Sequence, residues 1–173
     1  MWQDMHARVR ARTSKSAVAV LVTLTVACMA GFKWRERVLA VEVGLLDPRV
    51  TGYNAADVDR LLHSLGEQGR TLYGWTELTL DMLFPLTYVS LALLTLAKCA
   101  TPRQAPILAL PILTGATDVC ENIAVAVLAF SYPPAGATLS SAAAMFTVLK
   151  WISGLGSAGF LAVRCLQFVL VRK

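Results

Sequence analysis

The chain has 173 residues, of which 56% are hydrophobic and only 16% charged, with a mean hydropathy of +0.58. Soluble domains run at about 45–50% apolar and roughly 25% charged, and the apolar residues here come in long runs rather than periodic stripes, so lipid is the expected solvent. The net charge of +5 sits at the ends of those runs, where it suits membrane orientation and anionic headgroups rather than nucleic acid. No GxGxxG, P-loop, HExxH or nucleic-acid signature occurs.

In chain order, Met1–Lys15 carries Arg8, Arg10, Arg12 and Lys15 against Asp4 alone and reads as a basic flank leading into the first membrane helix. The uncharged run Ala17–Phe32, with its flanks, predicts a span over about 17–37. Lys33, Arg35 and Arg37 end it, with stems that can snorkel. Thr51–Asn54 reads as a turn. Asn54 is a good N-cap with Asp57 three residues on, and Val58, Leu61, Leu62 and Leu65 share one helical face. Gly66 and Gly69 break or cap that helix. A short amphipathic helix over about 54–66 is expected outside the bilayer core, on headgroups or on a neighbouring protein.

The second span is expected over 71–97, with Tyr73 and Trp75 as interfacial aromatics, Glu77 and Asp81 one turn apart, and Pro85 four residues beyond Asp81. The third, over 106–132, is interrupted by Pro111 and carries Asp118, Glu121 and Asn122. Tyr132–Gly136 reads as a tight loop. The fourth, over 138–165, holds Lys150 within it and Arg164 near its far end. The fold class is therefore an all-α, integral-membrane four-helix bundle, with residues 1–173 forming a single membrane domain. Cys28, Cys99, Cys120 and Cys165 read as four small buried apolar side chains. With His6 and His63 far from any cysteine cluster, no zinc site is expected.

Four crossings collect Arg8, Arg10, Arg12, Lys15, Lys98, Arg103, Arg164, Arg172 and Lys173 on one side, opposed by Asp4 alone. The other side collects Lys33, Arg35, Arg37, Arg49, Arg60 and Arg70 with Glu36, Glu42, Asp47, Asp57, Asp59, Glu67 and Glu77. The positive-inside rule then places both termini on the inside, cytoplasmic or matrix, face.

Asp81, Asp118, Glu121, Asn122 and Lys150 form the most informative group, because ionisable residues within spans are costly and turn toward the bundle interior. Asp118 counted back from Phe130 and Lys150 counted forward from Thr138 both lie roughly 18 Å deep at ~1.5 Å per residue, which predicts an ion pair. The same counting puts Asp81, Glu121 and Asn122 at one level. Pro85 cannot donate to the Asp81 carbonyl, leaving that acceptor open, and Pro111 does the same for Ile107. This polar layer ties the spans together in the first reading. In the alternative reading it is a catalytic or carrier site, with Asp81 and Glu121 as acid and base and Lys150 or Asn122 stabilising charge.

Ser153/Ser157 and Gly154/Ala158 are small-xxx-small pairs that allow close helix approach. They would meet the first span within the chain, or another chain at a subunit interface.

The segment LGEQGRTLYGWTELTLDMLFPLTY (Leu65–Tyr88), followed by DVCEN (Asp118–Asn122), resembles a pattern in small four-span membrane proteins of bacteria. There a Gly-Arg and a Tyr precede an Asp-x-x-x-Pro span and then a D-x-x-E-N span. The resemblance covers roughly the middle half of the chain and implies the four-helix fold without implying an activity.

The functional expectation is a non-catalytic accessory subunit of a larger membrane complex, of the respiratory or ATP-synthase kind, with the mitochondrial inner membrane favoured and the bacterial cytoplasmic membrane as alternative. The alternative function is an intramembrane enzyme or carrier for a lipid-like substrate, acting through Asp81, Asp118, Glu121 and Lys150. No cofactor or metal is expected. Partners would be other membrane subunits, a bound phospholipid and anionic lipid on the basic side.

Overall fold

The computed structural model describes residues 1–40, 42–133 and 137–171. The chain is all-helical, 86% helix with no strand among the described residues. Its elements are α1 (Trp2–Arg12), α2 (Lys15–Leu39), α3 (Ala55–Leu78), α4 (Leu80–Cys99), a 3₁₀ helix (Pro102–Leu108), α5 (Ala109–Phe130) and α6 (Ala137–Val171). Pro134–Gly136 of the expected tight loop, and the terminal charges Arg172 and Lys173, lie outside the described residues.

Four helical segments are long and apolar enough to cross a membrane: Lys15–Leu39, Ala55–Cys99, Pro102–Phe130 and Ala137–Phe168. Their outward faces expose Val20, Leu24, Val26, Leu86, Ile152 and Leu155. Apolar surface of this extent is costly in water, and helices of this length and composition suit hydrocarbon; the chain is an integral, multi-pass membrane protein. Cys120 and Cys165 lie on these exposed faces, so of the four cysteines only Cys28 is fully buried.

Local chemistry sets the helix limits. The Ser14 side chain accepts from the Ala17 amide at 3.1 Å and starts α2. Asn54 and Asp57 cap α3 reciprocally, at 3.0 and 3.1 Å. Gly66 breaks this helix as expected: its backbone is non-helical at φ 62°, ψ −179° and divides α3 into two helical segments across a kink, a conformation essentially confined to glycine. Arg70 Nη1 donates at 3.1 Å to the Leu62 carbonyl beside the kink. The second span is two helices end to end, separated at Thr79 with φ −120° and ψ −76°. Pro111 does not interrupt the third. It lies in the first turn of α5, where its missing N–H has no intrahelical partner to lose, and the irregular backbone precedes it in the 3₁₀ segment.

Two apolar clusters fill the bundle. Leu45, Leu46, Val58, Leu61, Leu62, Tyr73, Ala124, Val125, Leu128, Ala129 and Ala143 pack at one end. Leu96, Ala97 and Leu108 pack at the other, against Trp2, Met5, Val9, Phe160 and Leu161. Two expectations change here. The face of Val58, Leu61 and Leu62 is wholly buried within the chain, so it is not left for headgroups, because the kink at Gly66 folds residues 55–65 against α5. Tyr73 is likewise fully buried rather than interfacial; Trp75 alone stays exposed, edge-on to Phe130 at 5.6 Å. Gly74 makes room for the Phe130 ring, which a Cβ would meet at 2.6 Å.

The basic N-terminal flank is a helix in its own right. Its Trp2, Met5 and Val9 join the second cluster, and buried His6 reaches the Ala100 carbonyl at 3.1 Å through Nε2. The small residues of α6 meet α5, not the first span: Thr114 Oγ1 donates to Ser153 Oγ at 2.8 Å, and Gly154 sits beside the Thr114 methyl. Ser153 and Ser157 are buried, while Ala158 faces outward.

Candidate functional site

The polar layer lies between the two apolar clusters and is built around two buried cations. Arg35 is 3% exposed. It projects inward from the last turns of α2 and does not snorkel outward, because three carboxylates converge on it. Its Nη1 donates to Glu77 Oε1 at 2.7 Å and to Asp81 Oδ2 at 2.6 Å, and its Nη2 to Asp47 Oδ2 at 3.0 Å. The guanidinium carbon lies 5.1 Å from the Phe32 ring centroid and 5.4 Å from that of Tyr73, both within cation–π range. Asp47 is fixed in turn by the Tyr73 hydroxyl at 3.4 Å, and its carbonyl accepts from Trp151 Nε1 of α6 at 3.3 Å.

Lys150 forms the second centre. Its ammonium donates to Asp118 Oδ1 at 2.9 Å and contacts Glu121 Oε2 at 2.5 Å. The Tyr88 hydroxyl donates to Asp118 Oδ2 at 2.8 Å, and Thr147 Oγ1 to Glu121 Oε1 at 2.6 Å. Asn122 joins the centres by donating from Nδ2 to the Asp81 carbonyl at 2.6 Å, the acceptor that Pro85 leaves open.

Tyr53, in the loop before α3, is half-buried between the two centres. Burial pushes its phenol well above the ordinary range, and the nearby carboxylates of Glu121, Asp47 and Glu77 add to this. Tyr53 is therefore a neutral phenol at physiological pH.

The structure thus brings Asp81, Asp118, Glu121, Asn122 and Lys150 into one connected layer. It adds Arg35, Asp47 and Glu77, which the charge pattern had assigned to the loop side. A signal for them was present: three acids against one lysine leave a deficit of cations, and Arg35 is near enough to the end of its span to reach inward. With these additions five carboxylates surround two cations. The surplus has to be balanced by bound protons or by a cation, since uncompensated charge in hydrocarbon is costly.

Asp47, Glu77 and Asp81 each offer an oxygen within 4.8 Å of the others, the donor chemistry of a hard cation. Arg35 supplies the positive charge for that oxygen cage. Glu77 Oε2 and Asp47 Oδ1 have no hydrogen-bond partner among the described residues.

Comparison of the chain with protein-family models, with curated proteins and with solved structures finds no match.

Proposed function

We propose that the protein is a non-catalytic accessory subunit, a membrane-embedded scaffold within a larger complex of the respiratory or ATP-synthase kind. The observation that carries this reading is the linkage of the helices through the charged layer. Arg35 links α2 to α3, α4 and the loop between α2 and α3; Asn122 links α5 to α4; Lys150 and Thr147 link α6 to α5. The polar side chains are used to join helices, and Glu77, Glu121 and Asn122 are inaccessible from outside. A group that serves a substrate needs an approach, and these three have none from outside the bundle.

The bare surface of α2 supports a place among neighbours. Only 6% of its apolar window is buried within the chain, against 61% for Pro102–Phe130. Its seam within the chain is with α4: Thr25 to Thr87 at 3.1 Å, Phe32 against Phe84 at 5.0 Å, and Gly31 beside Leu80. The remaining face is available to lipid or another subunit.

In this reading both termini face the cytoplasm or the matrix. Support comes from the sequence charge asymmetry and from two contacts at one end of the bundle, His6 to Ala100 and Arg164 Nε to the Cys99 carbonyl at 2.9 Å. The asymmetry suits a mitochondrial inner membrane and a bacterial cytoplasmic membrane alike.

Gentle extraction from native membranes followed by native gel electrophoresis tests the proposal. The 18.7 kDa chain is expected to migrate with a much larger complex. A monodisperse lone monomer would overturn it.

A second reading is an intramembrane enzyme or carrier for a lipid-like substrate, working through Asp81, Asp118, Glu121 and Lys150. It is favoured by the surplus of acids and by the unpartnered oxygens of Glu77 and Asp47. It predicts that Asp81→Asn and Glu121→Gln abolish an activity while assembly survives; loss of assembly in both variants returns the layer to a structural role.

A further inference from the structure

We infer that the bundle end capped by α1 is a binding surface for anionic phospholipid headgroups, with α1 as its preformed recognition element. The inference needs only that the chain is membrane-embedded and stands independently of the accessory-subunit reading.

A basic N-terminal segment is ordinarily read as an unstructured flank that orients the first span. Here it is a docked helix. Trp2, Met5 and Val9 share one face and pack against Leu96, Ala97, Leu108, Phe160 and Leu161. His6, 3% exposed, ties the same face to the Ala100 carbonyl. Helical spacing then determines where the cations go. Arg8 and Arg12 are one turn apart on one flank of the docked face, and Arg10 lies on the other flank. All three are exposed. An interfacial helix has this arrangement, with an apolar face seated inward and basic side chains on both shoulders, level with the headgroups.

The rest of that end continues the pattern. Lys15 begins α2, Lys98 lies in the last turn of α4, and Arg103 lies in the 3₁₀ segment; all three are exposed. Arg164 is half-buried beside Cys99. None of Arg8, Arg10, Arg12, Lys15, Lys98 and Arg103 is in an ion pair among the described residues. Asp4 is the one acid of α1, and neither the stretch Leu96–Leu108 nor the chain beyond Ala158 contains another. The contrast with the opposite end decides the partner's charge. There Lys33 pairs with Glu36 at 2.7 Å, while Arg49 and Arg60 share Asp57 at 3.8 Å. At that end Lys33, Arg35, Arg49 and Arg60 pair with acids of the chain and only Arg37 and Arg70 are in no ion pair among the described residues; at the α1 end all six exposed cations await anions from outside. The chemistry that fits cations ringing a membrane helix end is the phosphate of an anionic lipid.

The test is native mass spectrometry of the purified chain reconstituted in equimolar phosphatidylglycerol and phosphatidylcholine. The wild type is expected to retain phosphatidylglycerol preferentially. The triple variant Arg8→Gln/Arg10→Gln/Arg12→Gln should lose that preference, roughly fivefold for each arginine removed. The control Lys33→Gln/Arg37→Gln at the opposite end should keep it. Should the triple variant fail to fold, a salt titration of the wild type serves instead, because headgroup pairing weakens as the Debye length shortens. Equal retention of both lipids by the wild type, or a preference unchanged in the triple variant or insensitive to salt, overturns the inference. So does a triple variant that keeps its lipid but loses a co-extracted protein, which would make the face a subunit contact.

Discussion

The side-chain amide of Asn122 donates at 2.6 Å to the backbone carbonyl of Asp81, on a different helix and one turn before Pro85. Proline removes the amide that would have filled this acceptor, and an asparagine from α5 fills it instead. The helix defect thus becomes an inter-helix bond. Asp81 is engaged twice at this level: its carboxylate holds Arg35 and its carbonyl holds Asn122.

This pairing predicts a coupled response. Asn122→Leu leaves the Asp81 carbonyl unsatisfied and should cost about 0.5–2 kcal/mol, the range for hydrogen bonds between membrane helices. Pro85→Ala offers a local amide to the same carbonyl, so the double variant should be more stable than Asn122→Leu alone. A thermal-melt double-mutant cycle in mild detergent reads the coupling; strictly additive effects would show that the two residues act separately.

Arg35 holds three carboxylates while 3% exposed. Arg35→Met strands them together, and loss of one partner from a buried ion pair costs about 3–5 kcal/mol. The variant should yield little monodisperse protein in size-exclusion chromatography. Arg35→Lys should recover only part of the yield, since a single ammonium does not reproduce the planar fork.

At the second centre charge balance should outweigh any individual contact. Lys150→Met leaves Asp118 and Glu121 facing each other without their cation. Adding Glu121→Gln removes one of the two charges and should raise the melting temperature above that of Lys150→Met. If the double variant is the less stable of the two, side-chain geometry rather than charge sets the stability of this centre.

Gly66→Ala places a Cβ on a backbone at φ 62°, ψ −179° and should cost about 1–3 kcal/mol. There is open space around Gly66, so the cost is conformational rather than steric. Gly159→Ala, also in open space but within regular helix, is the matched control and should be neutral or slightly stabilising in the same melt.

Long uncharged runs made the spans legible, because hydrocarbon demands some twenty apolar residues in succession. Equal depth along antiparallel helices made the meeting of Lys150 with Asp118 legible as well, since a helix converts residue number directly into distance. What escaped was direction at the ends of helices. Arg35 and Tyr73 sit where snorkelling and interfacial residues belong, and only the converging acids turn Arg35 inward. The face of Val58, Leu61 and Leu62 was visible as amphipathic, but the surface it covers depends on the bend at Gly66, which a residue pattern does not specify. The docking of α1 was invisible for the same reason: its seat is made of Leu96, Leu108 and Phe160, all distant in sequence.

The order of synthesis gives the Arg35 centre a further meaning. α2 leaves the ribosome well before most of the carboxylates its arginine requires: Asp47 follows by 12 positions, but Glu77 and Asp81 by 42 and 46. During insertion the first span therefore carries a charge whose full neutralisation arrives only with the second. The Arg35 centre is thus a contact between consecutive insertion units, complete only when Glu77 and Asp81 have joined Asp47 around the guanidinium.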